Sequence, residues 1–310
     1  MHVLHTPDDF YTLKKACLQN QTLALVPTMG ALHDGHLALI RHAKTLCGFV
    51  VVSIFVNPLQ FGENEDFAHY PRPLADDLAA CNNLGVDAVF TPSTETLYPN
   101  KELPITRVCP PDHLTNRLCG LDRPGHFDGM ATVVLKLLQI FQPSYAIFGE
   151  KDAQQLAIIR HMVHDFNLTV AIVGHPVVRD PSGLALSSRN QYLKTSEAKH
   201  LALLLYKTLL ASQMAYQENL RNNNTDPPAA APLLKTAYNT VYNQVMAEIS
   251  QNTIEPGFAA GDCSKQVVLH YLEAVDAETC LPVEALRENT RLVMAATVFG
   301  VRLIDTLALS

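Results

Sequence analysis

A chain of 310 residues, 48% hydrophobic and 17% charged, can bury a sizeable core, which excludes global disorder. Its formal net charge of −7, with no basic tract, excludes a general electrostatic footprint for nucleic acid, although a local anion site needs only a few residues. Seven scattered cysteines, odd in number and without a C-x-x-C pair, exclude a disulfide framework or zinc ribbon and fit reduced thiols in a cytoplasmic protein.

In chain order, the opening "MHVLHTPDDFYTLKKACLQN" has no apolar h-region, so no signal peptide is expected, and residues 8–19 read as a short helix. No apolar run reaches the roughly 18 residues of a membrane span, so no membrane contact is expected. Strands are expected at 22–27, 48–56, 86–92, 145–149 and 168–174, and helices at 36–47, 75–85, 131–142 and 152–166. Near-continuous Val/Ile/Phe runs predict strands buried on both faces of a parallel sheet, and their alternation with helices predicts right-handed βαβ units.

After about residue 180 the pattern changes. A helix is expected over 196–217 with Ser196 as its N-cap, then a polar, Pro-rich loop over 218–232. A helix over 233–250, a loop over 251–266 and strands at 267–275, 291–299 and 301–307 complete the chain. The expected fold class is α/β: a Rossmann-like, doubly wound parallel sheet over residues 1–178, followed by a smaller α+β lid domain over 179–310. In such sheets ligands bind beyond the carboxyl ends of the strands, so the strand-to-helix junctions are where chemistry is sought.

The first junction is "PTMGALHDGH". A helix N-terminus offers unpaired N–H groups and partial positive charge, Gly30 and Gly35 permit close approach, and His33 and His36 add donors to a phosphate. The spacing alone leaves a plain strand–turn–helix equally open; a metal pair lacks an evident third ligand. The second junction, "SIFVNPLQFGENEDFAHYPR", carries the neutral amides Asn57 and Gln60, which suit hydroxyl and carboxylate recognition, although an ordinary Asn-Pro turn reads the same.

The third junction is "FGEKDAQQLAIIR", where Lys151 can neutralise a phosphate, Asp152 can cap the helix or accept from a ribose, and Gln155 lies one turn further on. Neither G-x-x-x-x-G-K-[ST] nor G-x-G-x-x-G occurs. The fourth, "VVRDPSGLALSSRNQYL", groups Ser187, Ser188 and Arg189 as phosphate-type donors, against a reading as a polar linker. "RPGHFDGM" reads as a plain, turn-rich loop, with anion contact through Arg123 and His126 as the minority reading. Asp76 and Asp77 open a helix, where acidic residues are expected, with contact through Mg2+ as the minority reading.

Taken together and in this order, "PTMGALHDGH", "VSIFVNPLQF", "YPR", "RPGHFDGM", "FGEKDAQQL", "GLALSSRNQYL" and "RLVMAATVFGVRLID" resemble the pantoate–β-alanine ligases, the pantothenate synthetases, from about residue 22 to 307. The H-x-G-H element also resembles the HIGH-type signature of the wider nucleotidyltransferase superfamily. The resemblance implies ATP-dependent condensation of (R)-pantoate with β-alanine through a pantoyl adenylate, with ATP as co-substrate, Mg2+, a homodimer and a cytoplasmic location.

It also implies roles for individual residues. Met29, Gly30, Ala31, Leu32, His33, Asp34, Gly35 and His36 would form the ATP loop, with His33, His36 and Lys151 catalytic. Gly149, Glu150, Lys151 and Asp152 would bind ATP, Val178 the adenine, and Leu186, Ser187, Ser188 and Arg189 the phosphates. Gln60 and Gln155, with Asn57 beside them, would hold pantoate and β-alanine, and Asp76 and Asp77 would lie on the Mg2+–pyrophosphate side. Leu59 and Leu186 stand where Met is common, and Ala153 where an aromatic is usual. The rival readings are a nucleotidyltransferase of the same superfamily acting on another small acid, and a non-catalytic nucleotide-binding module.

Overall fold

The run Leu23–Thr28 (β2) is buried along nearly its whole length, as a strand covered on both faces must be. The computed structural model describes residues 1–17, 21–62, 65–99, 105–222, 226–252 and 266–309. It contains a six-stranded sheet whose paired strands all run parallel. Its members are β1 (His2–Leu4), β2, β3 (Phe49–Ile54), β4 (Ala88–Phe90), β5 (Tyr145–Gly149) and β6 (Ala171–His175), in the spatial order β1-β4-β3-β2-β5-β6. The chain proceeds outward from β2 through β3 to β4, then resumes on the other side of β2 with β5 and β6. The order therefore reverses between β2 and β5, the switch point at which such sheets bind ligands.

Alternate strand residues feed two cores. Leu25, Val51 and Phe90 face α1 (Pro7–Cys17) and, further along, the long apolar helix His126–Phe141, where Phe10, Phe90 and Phe141 meet edge to face at 4.6 and 5.2 Å. Ala24, Val26, Val50, Val52 and Val89 face α2 (Asp34–Leu46) and α3 (Leu74–Asn83) through Ile40, Ala43 and Cys81. Three one-turn helices follow β4: α4 (Thr94–Leu97), α5 (Asp112–Thr115) and α6 (Cys119–Asp122). Then come α7 (His126–Phe141) and α8 (Ala153–Asp165).

The chain forms two compact units. The first comprises Met1–Glu150 and Gln154–Pro176, and the second Lys151–Ala153 and Val177–Ser310. In the second unit α9 (Ser196–Arg221) packs on α10 (Ala230–Asn252) and on an antiparallel sheet of β7 (Val267–Asp276), β8 (Thr290–Val298) and β9 (Val301–Ala308).

Four expectations need correction. "RPGHFDGM" is a loop only to Gly125. Helix α7 already starts at His126, five residues before the expected 131, on a left-handed Gly125 at φ 77°. Thr195, not Ser196, caps α9, its Oγ1 accepting from the Ala198 N–H at 3.1 Å. The Pro-rich stretch 218–232 is helical at both ends, because α9 runs on to Arg221 and the Ala-rich "AAAP" opens α10 with Pro232 in its first turn, where proline is tolerated. The strand expected from 168 begins only at Ala171. Of the loop read at 251–266, residues 253–265 lie outside the described residues.

Candidate active site

Each junction residue gains its position from local chemistry. At the end of β2 the Thr28 hydroxyl donates to the Ser53 carbonyl at 2.8 Å and accepts from the Gly30 N–H at 3.2 Å. Gly30 and Ala31 then take successive left-handed conformations, φ 78° and 50°. Glycine does this freely; for Ala31 it costs about 1 kcal/mol. The turn is held from α3. The Asp77 carboxylate accepts the Ala31 N–H at 2.9 Å and the Leu32 N–H at 2.7 Å, and Asp77 is 3% exposed. Burial raises its carboxyl above the usual range, opposed by those two N–H donors. Asp76, its neighbour, is exposed on the same helix.

The helix that follows is capped by the two histidines. His33 is the N-cap of α2; its Nδ1 accepts from the Gly35 N–H at 3.1 Å, and the His36 Nδ1 accepts from the His33 N–H at 3.4 Å. Their rings lie 4.1 Å apart. This is a capping box in which imidazoles replace the usual hydroxyl and carboxyl. It also assigns the tautomers: an Nδ1 that accepts carries no proton, so both neutral rings hold theirs on Nε2. The H-x-G-H spacing is thus the spacing of a cap, and the cap sets which ring atom is the donor.

Gln60 and Asn57, both buried, form a braced pair. Asn57 Nδ2 donates to Gln60 Oε1 at 2.9 Å and to the Gly129 carbonyl at 3.0 Å, while Asn57 Oδ1 accepts the Tyr98 hydroxyl at 3.0 Å and the Leu59 N–H at 3.3 Å. Burial pushes the Tyr98 hydroxyl far up, which keeps it a donor. Asn57 therefore spends its amide on the protein and orients Gln60, turning the Gln60 Nε2 end the other way. The Gln60 carbonyl is held by His126 Nδ1 at 2.7 Å and Arg123 Nη2 at 3.3 Å, and Arg123 pairs with Glu65 at 2.6 and 2.8 Å. Arg123 and His126, for which anion contact is the lesser reading of the sequence, brace this turn.

The backbone of α7 lies directly on it. A Cβ added to Gly129 would fall 2.0 Å from the Leu59 carbonyl oxygen. Tyr98, Glu65 and Gly129 escape a reading of the sequence; only the glycine leaves a signal, since a Gly inside a helical pattern usually marks close packing.

At the β5–α8 junction Gly149 and Glu150 belong to the first unit and Lys151 and Asp152 to the second. Gln155 is half-buried. Its neighbour Gln154 is structural, bonded to the Leu114 and Arg117 carbonyls at 2.8 and 2.9 Å and to the Cys119 N–H at 3.0 Å.

In the second unit Val178 and Leu186 are joined by a 2.9 Å backbone bond across a short turn, and Leu186, Ser187, Ser188 and Arg189 are half-buried. The Ser187 hydroxyl accepts the Arg189 N–H at 3.3 Å, capping a 3-10 helix over Ser188–Tyr192. The turn is anchored by Arg179, bidentate to Asp305 at 2.6 and 2.9 Å, bonded to the Gly183 and Thr306 carbonyls and stacked on Tyr206 at 4.0 Å. Burial raises the Asp305 carboxyl, opposed by Arg179 and by the Lys151 charge. Asp305→Asn would strand a poorly hydrated guanidinium, so we expect a loss of about 3 kcal/mol of stability, read as a lower urea midpoint. An unchanged midpoint would show the pair to be dispensable.

The first unit also holds a cavity of about 410 Å3 at the carboxyl ends of β2, β3 and β4, lined by Met29, Gly30, Phe55, Arg72, Asp77 and Thr91 among others. Among the described residues no group of three or more His, Cys, Asp or Glu is placed to hold a metal, and no helix is long and apolar enough to cross a membrane.

Residues 2–308 match the family model described as pantoate-β-alanine ligase. The chain is 48% identical over 284 residues to a bifunctional pantoate ligase/cytidylate kinase of Thermosynechococcus vestitus, covering 92% of this chain and 50% of that relative. It is 51% identical over 213 residues to a pantothenate synthetase of Thermoanaerobacter sp., covering 69% of this chain and 74% of that one. The chain spans about half the length of the bifunctional relatives it matches. Among solved structures, a pantothenate synthetase of Thermus thermophilus aligns with TM-score 0.83 at 38% identity, over 100% of this chain and 99% of that one. A pantoate-β-alanine ligase of Francisella tularensis, in complex with βγ ATP and β-alanine, aligns with TM-score 0.72 at 33% identity, over 99% and 97%.

Proposed function

The chain belongs to the pantoate-β-alanine ligase family, and from that premise we propose that it joins (R)-pantoate to β-alanine at the expense of ATP, releasing pantothenate, AMP and pyrophosphate. A carboxylate is a poor electrophile. Attack by the pantoate carboxylate on the α-phosphorus expels pyrophosphate and gives a mixed anhydride; the amine of β-alanine then attacks the carbonyl and AMP leaves. The site has to spread phosphate charge, orient the two reactants and exclude water from the anhydride.

The observation that carries this reading is the imidazole capping box, which sets two Nε2–H donors at a helix N-terminus beside the switch point of the sheet. In this reading Met29 to His36 hold the nucleotide, and His33 and His36 donate to its phosphates. His36 then acts by charge stabilisation. Adenylate formation needs no proton on phosphorus, and giving up the Nε2 proton would leave an imidazolate anion among phosphates. Gln60 and Gln155 hold pantoate, and Asn57 positions Gln60.

Gly149, Glu150, Lys151 and Asp152 serve phosphate and ribose, Val178 the adenine, and Leu186 to Arg189, in the domain over 179–310, the phosphates. Magnesium belongs to this proposal as a companion of the nucleotide phosphates. Asp77 does not fit a protein-held ion, because both of its oxygens already accept backbone N–H groups. A homodimer and a cytoplasmic location are part of the same reading, the first checked by light scattering.

The test is an incubation of the protein with ATP and pantoate, without and with β-alanine. Enzyme-bound adenylate with pyrophosphate in the first case, and pantothenate with AMP in the second, are expected. Pyrophosphate without any amide product would instead indicate a nucleotidyltransferase acting on another acid. ATP binding without pyrophosphate would indicate a non-catalytic module.

A further inference from the structure

The geometry points to Asp77 as a positioning residue that presets the nucleotide loop by holding two successive backbone N–H groups, and not as a ligand to magnesium. The inference rests on the nucleotide reading of the loop given above.

The turn through Gly30 and Ala31, both at positive φ, presents two successive amides to one carboxylate. The anion they gather comes from within the protein. Asp77 Oδ2 takes the Ala31 N–H and Oδ1 the Leu32 N–H, a span of more than forty residues along the chain. The carboxylate lies tight beneath the turn, since a Cβ on Gly30 would come within 3.0 Å of both Asp77 Oδ2 and Ile54 Cγ2. Ala31 has no side-chain reason to adopt φ 50°, and a left-handed alanine persists only where its surroundings hold it.

Two consequences follow for the ligand. The amides of residues 31 and 32 are already spent, so phosphate must be met by donors further on, at the start of α2 and on His33 and His36. A carboxylate with both oxygens committed to N–H groups, on a residue 3% exposed, is also a poor ligand for an ion that keeps much of its water. Its surroundings are apolar enough that burial, with the Asp77 charge adding to it, pushes the neighbouring Cys81 thiol up to about 12.

The experiment is calorimetric titration of ATP in EDTA, where no divalent ion can contribute, on wild type, Asp77→Asn and the double variant Ala31→Gly/Asp77→Asn. Asparagine keeps one acceptor and loses the charge. We expect ATP affinity in EDTA to fall about tenfold in Asp77→Asn. Most of that loss should return in the double variant, because glycine takes the left-handed turn unaided. An affinity in EDTA that Asp77→Asn leaves unchanged, with a defect appearing only when Mg2+ is varied, overturns the inference in favour of a metal ligand. A loss that Ala31→Gly does not restore overturns it as well. If Asp77→Asn fails to fold, recovery of the fold in the double variant supports the role, and a double variant as poorly folded as the single overturns it. Wild type that binds no ATP at all sinks the nucleotide reading itself, a separate result.

Discussion

His36→Ala is expected to slow pantoyl-adenylate formation by about 10²–10³-fold, the usual cost of removing one preorganised donor from developing negative charge. The measurement is the pyrophosphate burst in a single turnover with ATP and pantoate and no amine, which isolates the first step from amide formation. The fold should survive. His36 contributes one bond of the α2 capping box, and losing a cap partner costs about 0.5–2 kcal/mol. A second variant separates the two contributions. In His36→Asn the amide oxygen can accept and the amide nitrogen can donate, though the shorter side chain sets that donor back. We therefore expect much of the cap energy to return while the burst stays slow. A burst near the wild-type rate in His36→Ala would remove the ring from the chemistry and leave it a capping residue only.

Gly129→Ala is expected to lower kcat/KM for pantoate by about 10²-fold while the KM for ATP holds. In an ordinary helix interior, replacing glycine by alanine stabilises by about 1 kcal/mol. Here the new methyl would sit 2.0 Å from the Leu59 carbonyl oxygen and 2.9 Å from the Gln60 nitrogen, with no flexible side chain to give way. The 3-10 turn carrying Gln60 must shift, straining the Asn57–Gly129 and Gln60–His126 bonds that aim the amide. Overpacking of this kind costs about 1–3 kcal/mol, so the variant should unfold at lower urea as well. A Gly129→Ala variant with wild-type kcat/KM for pantoate would show that Gln60 is not the residue that fixes the acid.

The parts of the molecule that are legible in the sequence are those written locally. β2, β3 and β5 announce themselves as short apolar runs, and α2 by the polar cluster that caps it. β1 escapes because three residues bonded only to β4 carry no periodicity. The start of α7 escapes because Gly, Pro and Asp in "RPGHFDGM" signal turns, whereas Gly129 is there because only a glycine lets the helix lie on the Leu59–Gln60 backbone. The site divides in the same way. His33, His36, Asn57 and Gln60 sit at junctions that a reader can find. What orients them comes from far along the chain: Asp77 to the loop, Tyr98 and Gly129 to Asn57, and Asp305 to Arg179. No spacing rule reaches across such separations, and a buried carboxylate or a packed glycine looks in the sequence like any other.

The imidazole cap also bears on how this protein can change over evolutionary time. Residues kept for chemistry commonly weaken the fold, so that losing them raises stability and opens a path of stable, inactive descendants. At the start of α2 that path is narrowed. The Nδ1 atoms of His33 and His36 fasten the helix, while in the proposed reaction their Nε2 protons serve the phosphates. Selection for a sturdy protein and selection for turnover therefore act on the same two side chains in the same direction. A lineage that no longer needed the reaction would still be held to these histidines until another residue took over the cap.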